Sequence, residues 1–204
     1  MSVTVHRVTL DQPGQTPHGV CLYVGCPKSG KTTMMARHLA AWSGAGLPAA
    51  VLDPARVTPL EGYQAAPDHK AWAASVWTRR ASAAYTPYDP PDEAAGLGGS
   101  IYQGGRCVVG LDELRAFVPV GRSVPNSMMA HLRLWRWRRI PYTGITTQCL
   151  GDFGRTLKSV VNFWYIFRLT EEEDQAAAGR IAKVPSDVIA NIPQAMALRV
   201  RVGF

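Results

Sequence analysis

No stretch of this chain approaches the ~20 uninterrupted apolar residues that a membrane-crossing helix needs, so no bilayer span is expected. Residues 1–14 lack the apolar block of a secretory leader, and the expectation is an intracellular, unsecreted protein. Val3, Val5 and Val8 alternate there with polar neighbours, as in a strand. Cysteine is scarce, with Cys21, Cys26, Cys107 and Cys149 and no C-x-x-C pair, which argues against a zinc site. Cys21, Cys107 and Cys149 lie in or beside apolar runs, where a thiol behaves as a small hydrophobe. Internal repeats and low-complexity runs are also absent.

What remains is globular in character. With 47% hydrophobic and 18% charged residues, the chain can bury a core. Of its 22 basic residues only five are lysine, and the net charge is +7. An excess of arginine suits bidentate phosphate contact, to a nucleotide or to a nucleic-acid backbone. Mere solubility explains the charge equally well.

Apolar runs at 20–24, 49–52, 106–111, 142–147 and 163–169 read as strands, and 197–202 as a last strand at the sheet edge. Helical patterns fall at 31–42, at 127–139 with Asn126 as cap, and at 171–182 behind a Thr170/Glu173 capping box. Shorter helices are expected at 156–161 and 186–191. Residues 55–100, rich in proline, alanine and glycine, read as an irregular insertion, with a strand at 74–78 and a loop at 87–99. Strand and helix alternate over most of the length. That pattern predicts one α/β domain over 1–204, its mainly parallel sheet covered by helices on both faces.

Between the first apolar strand and the first helix stands Gly25-Cys26-Pro27-Lys28-Ser29-Gly30-Lys31-Thr32-Thr33. This meets the pattern G-x-x-x-x-G-K-[ST] in its required context. The glycines let the backbone curl until successive N–H groups face phosphate oxygens, and the helix that follows adds its positive end. Lys31 is placed to reach the β- and γ-phosphates of ATP, Thr32 to bind magnesium, and Thr33 to pack or contact a phosphate nearer the ribose.

A second signature is the apolar run 108–111 ending in Asp112-Glu113. Asp112 is the candidate magnesium holder, acting through water, and Glu113 the candidate base for an attacking water. Gly110 interrupts the apolar run and weakens that strand. Gln148 ends the strand 142–147, where a polar side chain can sense the γ-phosphate. Arg138 and Arg139 end the pattern at 127–139. They either satisfy the negative end of a helix or reach a neighbouring subunit's nucleotide as arginine fingers. Arg133, Arg136 and Trp137 offer a mixed basic and aromatic face to nucleic acid, although helical tryptophan is more often core.

Taken in order, the phosphate loop, Val51-Leu52-Asp53-Pro54, the strand into Asp112-Glu113, the arginine-ended helix and the strand into Gln148 resemble the FtsK–HerA superfamily. Within it, the chain most resembles the genome-packaging ATPases of tailless double-stranded DNA viruses with an internal membrane. The resemblance covers about residues 20–169. It implies a RecA-like (ASCE) P-loop NTPase fold in which an extra strand separates the phosphate-loop strand from the acidic-pair strand. It further implies a ring, typically a hexamer, with ATP at subunit interfaces and double-stranded DNA in the channel. A viral setting adds the virion vertex or the infected host's cytoplasm as location, and a capsid vertex or membrane-associated viral protein as partner. By motif position Gln148 is the sensor and Arg138 or Arg139 the finger. The family's arginine commonly stands eleven residues before the glutamine, where this chain has Trp137.

Three other readings compete. A filamentous-phage assembly ATPase of the zonula-occludens-toxin type shares these motifs but usually carries a membrane helix. A small nucleotide or nucleoside kinase also pairs a phosphate loop with acids. A non-catalytic nucleotide switch would have no use for Glu113. The chain is too short to hold both this ATPase and the nuclease domain of tailed-phage motors, so no DNA cleavage is expected.

Overall fold

The computed structural model describes residues 3–12, 14–56, 61–119, 122–151 and 155–202. Among the described residues nine strands form a single sheet: β1 (Val3–Thr9), β2 (Gly19–Val24), β3 (Ala49–Leu52), β4 (Gln64–Ala66), β5 (Ala83–Tyr85), β6 (Val108–Leu111), β7 (Tyr142–Thr147), β8 (Phe163–Ile166) and β9 (Met196–Val202). Their spatial order is β1-β9-β8-β2-β7-β6-β3-β5-β4. From β8 to β4 every pairing is parallel, while β9 runs antiparallel to both β8 and β1. The expected extra strand is present: β7 separates β2 from β6.

β2, β3, β6, β7 and β8 are buried at every position. A strand covered on both faces has no solvent side to alternate with, which is why these segments read as continuous apolar runs. One face is covered by α1 (Lys31–Gly44), whose Met34, Met35 and Leu39 join Cys21, Tyr23, Val51 and Val108 in one core. The opposite face, with Leu22, Leu52, Val109 and Ile166, carries the larger core. It is built with α2 (His69–Ala73), α3 (Pro90–Gly104), α4 (Leu114–Phe117), α5 (Asn126–Leu134), α6 (Arg155–Lys158), α7 (Glu172–Ala182) and α8 (Ser186–Ala190). Gly110 has its reason here. A Cβ on it would meet Leu39 Cδ1 at 2.8 Å, so the missing side chain lets α1 lie close on β6.

Five sequence-based expectations are overturned. The last strand, β9, is not at the sheet edge but lies between β8 and β1. The 87–99 loop is mostly helix, because α3 begins at Pro90 with Asp89 accepting from the Asp92 N–H. Proline suits the first helical turn, where its missing N–H is not needed. Gly98 serves packing, since a Cβ there would strike the Met128 backbone of α5 at 2.6 Å. The 74–78 strand is a π-helical turn that continues α2 and buries Ser75 and Val76. Helix α5 starts at Asn126, with Pro125 rather than Asn126 in the capping position. It stops at Leu134, and residues 135–139 form a turn in which Arg139, at φ 54°, redirects the chain into β7. The Thr170/Glu173 capping box does not form; Glu171 precedes α7, and Glu172, Glu173 and Asp174 meet its positive end instead.

Candidate functional site

Strand register gathers the site. Val24 of β2 is level with Thr147 of β7, Leu111 of β6 with Ile145 of β7, and Leu52 of β3 with Leu111. The segments leaving these strands at their carboxyl ends therefore emerge side by side: residues 25–30, Gln148, Asp112-Glu113 and Asp53. Such an edge is where open parallel sheets bind ligands.

The glycine loop is fastened to the chain beyond β8. Phe167 donates its N–H to Val24 O at 2.8 Å, and Cys26 donates to Arg168 O at 2.9 Å. A Cβ on Gly25 would lie 2.6 Å from Phe167 Cβ and 2.9 Å from Ser29 Oγ, so only glycine fits the start of the loop. Gly30, at φ 108°, makes the left-handed turn that opens α1. Lys31 is buried, and its Nζ donates to Gly25 O at 2.8 Å and Cys26 O at 2.9 Å. These two carbonyls hold the ammonium at the mouth of the loop. Burial lowers the Lys31 pKa, opposed by the charge of Glu113, the Cys26 thiol and the charge of Asp112. Buried Ser29 Oγ has no partner among the described residues. A cavity of about 250 Å³ follows Lys28, Ser29, Gly30, Lys31, Thr32 and Thr33, and its far wall is Leu10, Gln194 and Ala195.

Asp112 is buried at the end of β6 and accepts two hydroxyl hydrogen bonds at Oδ1, from Thr32 at 2.9 Å and from Thr146 at 2.7 Å. Its pKa is raised, chiefly by burial; the Thr146 and Thr32 bonds oppose that, Asp53 adds to it, and Lys31 opposes it. Glu113 follows in the left-handed region, φ 50° and ψ 74°, which turns its side chain away from the strand line. Thr146 accepts the Glu113 N–H at 2.8 Å. The Glu113 carboxylate accepts from Gln148 Nε2 at Oε2, 3.0 Å, while Oε1 is buried without a partner among the described residues.

Lys31, Thr32, Asp112, Glu113 and Gln148, far apart in sequence, thus share one edge of the sheet. Arg138 and Arg139 do not join them. They precede the amino end of β7, a six-residue strand of roughly 20 Å, and so lie at the opposite edge from the loop. The Arg138 guanidinium lies over the Tyr102 ring at 4.0 Å, whereas Arg139 is exposed. Trp137 is no core residue; it is 85% exposed.

Sequence reasoning missed Thr146 and the wall of Leu10, Gln194 and Ala195. Only the pairing of β6 with β7 reveals the first. Leu10 and Ala195 meet because β1 pairs with β9, with the Leu10 N–H donating to Ala195 O at 3.0 Å.

The site has the donor set for a magnesium–nucleotide complex. A hydroxyl and a carboxylate stand 2.9 Å apart beside a buried ammonium, and buried Ser29 Oγ faces the same loop. No cluster of three or more histidine, cysteine or acidic side chains fit to hold a metal occurs among the described residues. A site of this kind suits magnesium, which is typically held by one or two carboxylates with phosphates and water completing its shell.

A glycine loop joining a central parallel strand to a helix, with an acid-tipped strand two places away, defines the α/β P-loop NTPase fold. Solved structures with this fold include the genome packaging NTPase B204 from Sulfolobus turreted icosahedral virus 2. Its complex with ATP-gammaS gives a TM-score of 0.72 at 14% identity, covering 90% of this chain and 92% of that one. The complex with AMP gives 0.68 at 15% identity, covering 89% and 90%. B204, the DNA-packaging ATPase from Sulfolobus turreted icosahedral virus, gives 0.67 at 12% identity, covering 93% and 100%. No protein-family model matches the chain, and a comparison with curated proteins finds no match.

Proposed function

We propose that this chain is an ATPase that moves double-stranded DNA, a single P-loop ATPase domain working in a ring of copies, and that its cargo is a viral genome entering a preformed capsid. The observation that carries the catalytic half is the meeting of Thr32, Asp112 and Glu113 at the mouth of the phosphate loop. The packaging half is supported by the likeness over nearly the full length of both chains to NTPases described as genome-packaging.

In this reading residues 25–33 wrap the phosphates and Lys31 holds the β- and γ-groups. Thr32 and Asp112 hold magnesium, which when bound neutralises phosphate charge. Glu113 takes a proton from the attacking water as its oxygen bonds to the γ-phosphorus and the bond to the ADP oxygen breaks. The proton then passes to solvent. Gln148 keeps the Glu113 carboxylate oriented. Arg138 and Arg139, remote from their own loop, act only on the nucleotide of an adjacent copy. Arg139 is the freer of the two, since Arg138 is stacked on Tyr102. A capsid-vertex or membrane-associated viral protein is the docking partner, and the virion vertex or host cytoplasm the place of action.

Phosphate release with and without long duplex DNA, run beside a sizing measurement, tests this. Turnover stimulated by duplex from a ring-sized particle is expected. A DNA-indifferent monomer that passes phosphate to a nucleoside would establish the kinase instead.

A further inference from the structure

Helix α1 packs chiefly on β7, β6, β2 and β3, so at the margin formed by β8, β9 and β1 the same sheet face carries polar side chains. His6 of β1 pairs with Arg199 of β9, while Arg201 pairs with Thr4 on one side and Phe163 on the other. Paired residues project to one face, so these side chains form a continuous patch. They line a cleft of about 690 Å³ whose remaining wall includes His18, Trp135 and Arg136. A second cleft of about 410 Å³ shares those three residues and extends the groove to Arg139. Among the described residues, no aspartate or glutamate lines either cleft.

The arginines are held in place without being neutralised. The Arg199 and Arg201 guanidinium groups lie 5.0 and 5.8 Å from the Phe163 ring centroid, and Arg136 lies 4.9 Å from that of Trp135. None of the three has a carboxylate partner among the described residues, and Arg199 Nε is buried without any hydrogen bond there. Fixed arginine forks with uncompensated charge cost little ordering when an anion arrives. Arg199 and Arg201 stand two residues apart on one strand face, about 6.7 Å by strand rise, so each reaches a different anionic group. A row of charges across two joined clefts fits a polyanion better than a single small anion. Its concave form fits a rounded backbone ridge better than a flat lipid surface.

We infer that this groove binds the phosphate backbone of duplex DNA, with Arg136, Arg199 and Arg201 as its contacts. The inference rests on the reading that the chain acts on DNA, and it assigns that contact to the sheet margin rather than to the nucleotide edge.

Anisotropy of a labelled 30-base-pair duplex, titrated from 50 to 200 mM salt, tests it with three proteins. These are the parent, an Arg136→Glu/Arg201→Glu double variant, and a charge-matched control, Arg180→Glu/Lys183→Glu, on the opposite face. The four substituted side chains are exposed, so folding is retained. The groove variant is expected to lose at least tenfold in affinity. Its slope of log affinity against log salt should shrink by about 1.8, or roughly 0.9 for each lost phosphate contact. The control should stay within about twofold of the parent. Equal losses in groove variant and control overturn the groove, as does unaltered binding by the groove variant. So does loss of binding to phosphatidylserine vesicles with duplex binding intact. A parent that binds no duplex overturns both the groove and the DNA half of the proposed function, while ATP hydrolysis stands on its own.

Discussion

Gln148 donates from Nε2 to Oε2 of Glu113 at 3.0 Å, joining the residue just past β7 to the one that leads from β6 into α4. The carboxylate that would take a proton from water is therefore aimed by a side chain from the neighbouring strand. Gln148→Ala removes the brace and leaves the carboxylate. ATP affinity should hold while turnover falls by roughly one order of magnitude. Glu113→Gln removes the base itself and should cost about 10²–10⁴ in turnover. Nucleotide binding and single-turnover rates separate the two effects; equal rates in parent and Glu113→Gln would remove that residue from the base role.

Thr146 carries two bonds with one hydroxyl, donating to Asp112 and accepting from the Glu113 N–H. Thr146→Val keeps the shape, leaves the Glu113 N–H without its acceptor, and takes from buried Asp112 Oδ1 one of its two hydroxyl bonds, that from Thr32 remaining. A stability loss of about 1–3 kcal/mol is expected, together with slower turnover. Thr146→Ser should restore both. Urea unfolding and phosphate release measure them, and a Val variant as stable and active as the parent would show the hydroxyl to be idle.

Burial lowers His38 and His131 to about 3 each. Unfolded, both would titrate near 6.5. The unfolded chain thus binds more protons between those values, and stability rises with pH across that window. The contribution is complete above about 6.5 and is lost progressively as pH falls toward 3. Melting temperature should drop from pH 7 to pH 5, and His131→Leu, which removes a ring with both nitrogens unpartnered among the described residues, should flatten the slope. A parent whose melting point is level over that range contradicts this account of the two imidazoles.

Gly110→Val would push a side chain into Leu39 and Val51 beneath α1. Overpacking of this kind typically costs about 1–3 kcal/mol. Gly44→Ala, at the end of the same helix with nothing within 4 Å of the new Cβ, should be neutral or slightly stabilising. Denaturant midpoints for the pair distinguish close packing from a general dislike of substitution in this layer.

The parts legible in the sequence were those written in contiguous residues. Residues 25–33 encode their own curl, and Asp112-Glu113 follows its strand directly, so both could be read without a partner. The register that levels Val24 with Thr147 and Leu111 with Ile145 is a tertiary fact, and with it went Thr146 and the wall of Leu10, Gln194 and Ala195. Residues 87–99 misled because proline and glycine punctuate loops more often than they open or pack helices, and α3 uses them for the latter. The end of α5 misled for the opposite reason: a periodic, arginine-rich pattern runs on to 139, but the backbone turns after Leu134.

The most direct test is a crystal structure with magnesium and a non-hydrolysable ATP analogue. The phosphates should lie against the N–H groups of residues 28–32 and Lys31 Nζ, with the metal bound by Thr32 and facing Asp112. Nucleotide seated elsewhere, or phosphates in the loop with their metal well away from Asp112, would contradict the account at its root.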